Sequence, residues 1–135
     1  MENIEYQHQD ILIFEKTTKT PYIKLDKPNG QIELRGSSIP ENTREFYYKF
    51  NRWMAEYTAN PAPKTTVKFA LMYMNSSSAV VITRMLRMLD DMIGMKTEVE
   101  IDWYYESDDL EMKEIGEYYH EIMKCKINLH EVDRL

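Results

Sequence analysis

Near the middle of the chain, Tyr73-Met74-Asn75-Ser76-Ser77-Ser78 joins a run of strand character to a run of helix character. Hydroxyls at the C-terminal end of a strand, where a helix begins, lie beside unpaired backbone N–H groups and the positive end of the helix dipole. Two kinds of chemistry use that position. Asn and Ser are preferred N-cap residues, and one of them must cap this helix, at a cost of about 0.5–2 kcal/mol if it is replaced by Ala. A phosphate on one of these serines would be stabilised by the same N–H groups, so the junction is also a candidate for regulatory phosphorylation.

Other reactive constellations are missing. The four glycines form neither a GxGxxG nor a GxxxxGK[ST] phosphate loop. His8, His120 and His130 are scattered, with no histidine or cysteine at metal-ligand spacing, and read as surface or partly packed residues. Ser76 has no G-x-S-x-G elbow around it and does not read as a hydrolase nucleophile. Asp90-Asp91 resemble the acidic pair of a receiver domain but fall inside a predicted helix, where a solvated helix end accounts for them. Cys125 is the single cysteine, which excludes an internal disulfide and a cysteine-based zinc site and leaves a packed free thiol. No enzyme activity, metal or cofactor is expected. Met85, Met88, Met92 and Met95, four of ten methionines, follow one another at helical spacing. They are expected in the core, although an exposed methionine stripe would mark an adaptable binding surface.

The 135 residues, 43% of them apolar, suit one domain spanning 1–135. Lys and Arg number 17 against 23 Asp and Glu, a net charge of -6 that argues against nucleic acid or an anionic membrane as partner and for protein partners. Met1-Glu2-Asn3-Ile4-Glu5 lacks the pattern of a signal peptide, and no apolar run approaches the roughly 18 residues of a membrane helix, so a cytoplasmic protein without membrane insertion is expected.

The elements that position the junction follow from periodicity. Ile11 to Phe14 suits a short strand. Tyr22 to Leu25 and Gln31 to Arg35 alternate apolar with polar around Lys27-Pro28-Asn29-Gly30, which predicts a hairpin with one wet face. From Asn42 a helix is expected with Phe46, Phe50, Trp53, Met54 and Tyr57 on one face, Asn42 and Glu45 forming its capping box and Asn60-Pro61 ending it. Val67, Phe69, Leu71 and Tyr73 alternate with Lys68, Ala70, Met72 and Met74, as in a strand at the centre of a sheet. A helix from about Ser77 to Ile93 follows, with Arg84, Arg87 and Asp91 facing water and Gly94 stopping it. Glu98 to Tyr104 predicts a strand, and Asp108 with Glu111 a capping box for a helix whose inner face is Met112, Ile115, Tyr119 and Ile122. Lys126 to Val132 is the last strand. The order ββαβαβαβ calls for a mixed, mainly parallel sheet with helices packed on it. Ligand sites in such sheets lie beyond the strand C-termini. That edge carries Asn75 and Ser76 after one strand and Tyr104, Tyr105, Glu106, Asp108 and Asp109 after the next; ordinary capping and solvated charge also account for the acidic loop.

Four stretches carry a family resemblance: Thr17-Thr18-Lys19-Thr20-Pro21; Gly36-Ser37-Ser38-Ile39-Pro40-Glu41-Asn42 with Phe46-Tyr47 and Trp53; Tyr73 to Ser78; and Trp103-Tyr104-Tyr105 with Asp108-Asp109 and Gly116-Glu117. Over roughly Lys16 to Val132 the chain resembles the SiaC family of bacterial regulatory phosphoproteins. The resemblance implies a STAS-like α/β domain switched by reversible phosphorylation, with a GHKL-type serine/threonine kinase adding the phosphate and a metal-dependent serine/threonine phosphatase removing it. It further implies that the unphosphorylated form binds and activates a GGDEF diguanylate cyclase, raising cyclic di-GMP. The family's phosphorylated threonine falls on Ser76, with Ser77 and Ser78 as alternatives, and Met74 stands where the family usually has phenylalanine. Asn75, Ser76, Tyr104, Tyr105, Asp108 and Asp109 are the candidate partner-binding residues. The rival readings are a STAS-type anti-sigma factor antagonist and, from another class, an enzyme or small-ligand binder using the strand-end cleft.

Overall fold

The computed structural model describes residues 9–93 and 96–135. The N-terminal segment Met1 to Glu5, His8, the helix stop expected at Gly94 and the last of the striped methionines, Met95, lie outside the described residues. Six strands form one sheet in chain order: β1 (Ile11–Phe14), β2 (Tyr22–Asp26), β3 (Gln31–Ser38), β4 (Lys64–Met74), β5 (Glu98–Glu106) and β6 (Lys126–Val132). β1, β2 and β3 pair antiparallel, while β3 through β6 pair parallel. The β2–β3 hairpin turns at Gly30, whose φ of 63° supplies the left-handed conformation the turn needs. The short strand expected over Ile11 to Phe14 is β1, which adds a strand at the sheet edge to the expected order. The single helix expected from Asn42 is broken at Tyr47 into α1 (Thr43–Phe46), capped by Asn42 accepting from Glu45 N–H at 3.0 Å, and α2 (Tyr48–Ala59). α3 (Ser76–Asp90) and α4 (Leu110–Ile122) fill the remaining crossovers.

Right-handed crossovers that advance across the sheet in one direction place α2, α3 and α4 on the same face. There Ile23, Leu25, Ile32, Leu34, Val67, Phe69, Ile101 and Trp103 meet Phe50, Trp53, Met54, Tyr57, Ile82, Met85, Leu86 and Leu89 in one core. Burying each such side chain is worth about 1.5–3 kcal/mol. Met85 and Met92 are buried and Met88 packs against the core, as the core reading of the stripe requires.

The other face carries no covering element among the described residues. It is polar, and its charges are paired laterally. Asn128 donates to Glu100 (2.8 Å) and Asp102 (3.1 Å), His130 meets Asp102 at 2.8 Å, Tyr104 stacks on His130 at 4.5 Å, and the Lys68 ammonium lies over the Tyr104 ring, 5.0 Å from its centre. The Asn128 hydrogen bond, with Lys64 and Lys126 beside it, holds the Glu100 carboxyl below the usual carboxylate range.

Four expectations are corrected. The alternation of β4 breaks at a bulge: Gly36 pairs with Leu71 but Ser37 pairs with Tyr73, so Met72 is inserted and Tyr73 and Met74 exchange faces. Met72 and Tyr73 are both half exposed, whereas Met74 packs against the core. Gly36, with φ 106°, supplies the backbone conformation at this irregularity. Second, α3 ends at Asp90 and not Ile93, because its last turn tightens, with Met92 N–H donating to Leu89 C=O and Ile93 N–H to Asp90 C=O. Third, α4 is capped by Asp109, whose carboxylate accepts from Met112 N–H at 3.0 Å, and not by Asp108, which is exposed. Fourth, Ile122 is exposed and Gly116 takes the inner position, since the Trp103 ring fills the space a side chain would need.

Candidate functional site: the start of α3

Asn75 caps α3 through its side-chain oxygen, which accepts from Ser78 N–H at 2.9 Å, and its own N–H donates to Ser38 C=O at the end of β3. The strand-to-helix junction is thereby tied to the neighbouring strand before any serine is considered.

The three serines then occupy three environments. Ser78 is fully buried. Its hydroxyl donates to Ser38 C=O at 3.0 Å, so it must accept from Ser38 Oγ at 2.7 Å, and Ser38 Oγ in turn accepts from Tyr47 OH at 2.6 Å. Burial pushes the Tyr47 phenol up, which keeps it protonated as the first donor of this chain. Ser77 is exposed but engaged: it donates to Asn75 Oδ1 at 3.2 Å and accepts from Thr43 Oγ1 at 2.6 Å, linking the start of α1 to the start of α3. Ser76, the first residue of α3, is exposed, and among the described residues its hydroxyl makes no hydrogen bond. It alone of the three is free to approach another molecule without losing an existing bond.

The second candidate loop divides. β4 and β5 pair only as far as Phe69 with Trp103; beyond that β4 pairs with β3 alone and β5 with β6 alone, so the two strand ends part. Tyr104 points to the bare sheet face, beside Lys68 and His130. Tyr105 is buried on the helix side, its hydroxyl 3.5 Å from Glu131. Asp109 is occupied as the α4 cap and Asp108 is exposed. No hydrogen bond or ion pair among the described residues joins this loop to Asn75 or Ser76. The structure therefore brings together Asn75, Ser76, Ser77 and Ser78, and adds Ser38, Thr43 and Tyr47, which the sequence reading missed. Ser38 and Tyr47 lie in the stretches that carry the family resemblance, but nothing in their spacing announces that Ser38 meets Ser78, 40 positions away, or that Tyr47 supports it.

No group of three or more His, Cys, Asp or Glu side chains suited to a metal ion occurs among the described residues, and no described helix is long and apolar enough to cross a membrane.

The fold is an α/β domain with an exposed, unengaged serine hydroxyl at a strand-to-helix junction, and comparison with known proteins places it in a class of regulatory phosphoproteins. Residues 14–132 match the model of the SiaC family regulatory phosphoproteins, and the chain belongs to that family. It is 26% identical over 105 residues to an uncharacterized protein of Pseudomonas aeruginosa (strain UCBPP-PA14), covering 78% of this chain and 83% of that protein. Its fold matches a chain in the crystal structure of the diguanylate cyclase SiaD in complex with its activator SiaC from Pseudomonas aeruginosa, with a TM-score of 0.82 and 24% identity over 90% of this chain and 99% of that one. Apo-SiaC from the same organism gives a TM-score of 0.80 at 24% identity, with the same coverage.

Proposed function

We propose that this protein is a non-enzymatic adaptor that binds and activates a GGDEF diguanylate cyclase, and that phosphorylation of Ser76 releases it. Membership of a family of regulatory phosphoproteins supports the switch, and likeness to SiaC, described as the activator of the diguanylate cyclase SiaD, supports the client. The observation that carries the assignment to Ser76 is its exposed, unengaged hydroxyl beside a fully buried Ser78 and a hydrogen-bonded Ser77. Phosphoryl transfer requires the attacking oxygen in line with the transferred group, which an oxygen at the surface reaches and one under the helix does not. A GHKL-type kinase and a metal-dependent phosphatase set the state of the switch, and the protein itself turns nothing over.

A phosphate adds about -1.5 to -2 charges at neutral pH. The fold tolerates it, because the N–H groups of the first turn and the helix dipole face it. A client surface packed on an uncharged serine would instead have to desolvate a dianion, and a few kcal/mol of lost affinity exceeds a tenfold change. Client affinity is to be measured for wild type, Ser76→Ala, Ser76→Asp and kinase-treated protein, with mass spectrometry locating the phosphate. Ser76→Ala should bind like unmodified wild type and resist the kinase, and the phosphorylated form should bind at least about tenfold more weakly. Phosphate found only outside Ser76, Ser77 and Ser78, or equal binding of the two forms, would rule the switch out.

A further inference from the structure

The outward side of α3 carries a feature that the switch alone does not require. Ser76, Val80, Thr83, Arg84 and Arg87 stand at i, i+4, i+7, i+8 and i+11 and so share one stripe along the helix. Val80 is 56% exposed although the core side of the same helix is fully supplied by Val81, Ile82, Met85, Leu86 and Leu89. Between them Ala79, Val80, Thr83, Arg84 and Arg87 line a shallow groove of about 410 Å³. α3 contains no acidic residue before Asp90, and among the described residues neither Arg84 nor Arg87 forms an ion pair. In a chain with a net charge of -6 this leaves a locally cationic strip with an apolar centre. α4 borders it through the buried Tyr119, which hydrogen-bonds Thr83 at 2.7 Å, but the exposed positions of α4 around Tyr118 are Glu114, Glu117 and Glu121, so the cationic strip is confined to α3.

The geometry points to this strip as the docking surface for an acidic amphipathic helix of the client, its apolar side chains seated over Val80 and its carboxylates paired with Arg84 and Arg87. This rests on the cyclase-adaptor reading above and names the surface and the partner chemistry. The sign of the switch then follows. Ser76 lies one helical turn, about 6 Å of rise, from Val80, so a phosphate there stands at the end of the footprint of a negatively charged partner and repels it, within reach even at physiological salt. The unpaired arginines attract and the phosphate opposes, which separates partners by charge as well as by shape.

The test measures binding of the purified, unphosphorylated protein to the purified cyclase, at low and physiological salt. Arg84→Glu with Arg87→Glu, and separately Val80→Asp, should each weaken binding at least tenfold, while Lys27→Glu in the β2–β3 turn leaves it within twofold. Wild-type affinity should fall with salt, and that of the double arginine variant should not. Modification of wild-type arginines by a glyoxal reagent, read by mass spectrometry, should show Arg84 and Arg87 protected in the complex, a result that does not depend on any variant folding. Unchanged affinity in the variants with both arginines reactive in the complex overturns this surface and leaves the adaptor reading standing. Failure of unmodified wild type to bind the cyclase overturns the adaptor reading and this proposal with it. Dimerisation of the protein abolished by Val80→Asp, with cyclase binding unaffected, would assign the strip to a second copy of the chain and overturn the proposal.

Discussion

Ser76, Ser77 and Ser78 are chemically identical in the sequence, and what separates them is supplied by residues far along the chain. Ser38, itself held by Tyr47, captures the Ser78 hydroxyl, Thr43 captures that of Ser77, and nothing described captures that of Ser76. The sequence could place the junction and require Asn or Ser to cap the helix, because capping depends on neighbours within four residues; that Asn75 is the cap is a finding of the structure. It could not rank the serines, because ranking requires the β3 terminus to arrive beneath α3. The same limit governs the acidic loop, where Asp108 and Asp109 each suit a cap and only the turn geometry chooses Asp109. Asp109→Ala is therefore expected to cost about 1 kcal/mol and Asp108→Ala to stay within about 0.5 kcal/mol, as urea denaturation midpoints will show. Equal losses would mean that the loop re-registers and either aspartate serves.

At the scale of elements, periodicity was a good guide where one face alone is buried and a poor one where tertiary geometry intervenes. Phe50, Trp53, Met54 and Tyr57 on α2 were legible from 3.6-residue spacing, and the β2–β3 hairpin from alternation and its turn. The bulge in β4 was not, since an inserted residue is a property of the pairing and not of either strand. Gly116 gave no inner-face signal for a related reason: a residue without a side chain has no hydrophobic signature, yet it lets α4 pack tightly against Trp103 and Leu129 of the sheet. A Cβ there would lie 2.5 Å from Trp103 Cδ1 and 2.9 Å from Leu129 Cδ2, and the Trp103 ring is held by its N–H donating to Met112 C=O at 3.0 Å. Gly116→Ala gains helix propensity of about 1 kcal/mol but must displace α4 or break that bond. The clash should win, with a net loss of about 1–3 kcal/mol in chemical denaturation, and a stabilised variant would show that α4 can shift outward freely.

For the molecule as a whole, the neutral state of three groups is built into the packing. Burial pushes the Cys125 thiol up to about 12, with the Asp90 carboxylate acting in the same direction, and burial likewise raises the Tyr47 and Tyr119 phenols. An unfolded thiol ionises near pH 8.5 and an unfolded phenol near 10, so from about pH 8 upward the unfolded chain sheds protons that the folded chain retains. Stability is then full below that value and falls as pH rises towards the folded values. Urea midpoints across about pH 8 to 11 should decline, and more shallowly for Cys125→Ala than for wild type; parallel declines would remove the thiol from the account. The plain succession of strands from β1 to β6 carries a further meaning for how the molecule comes to exist. No strand is inserted between two earlier ones, so during synthesis each β-strand emerges with its partner already waiting at the growing edge, and the sheet can be laid down like courses of brick. The last courses are β5, α4 and β6, so the contacts that seat the start of α3 on the end of β3 draw on nothing that follows α3 in the chain.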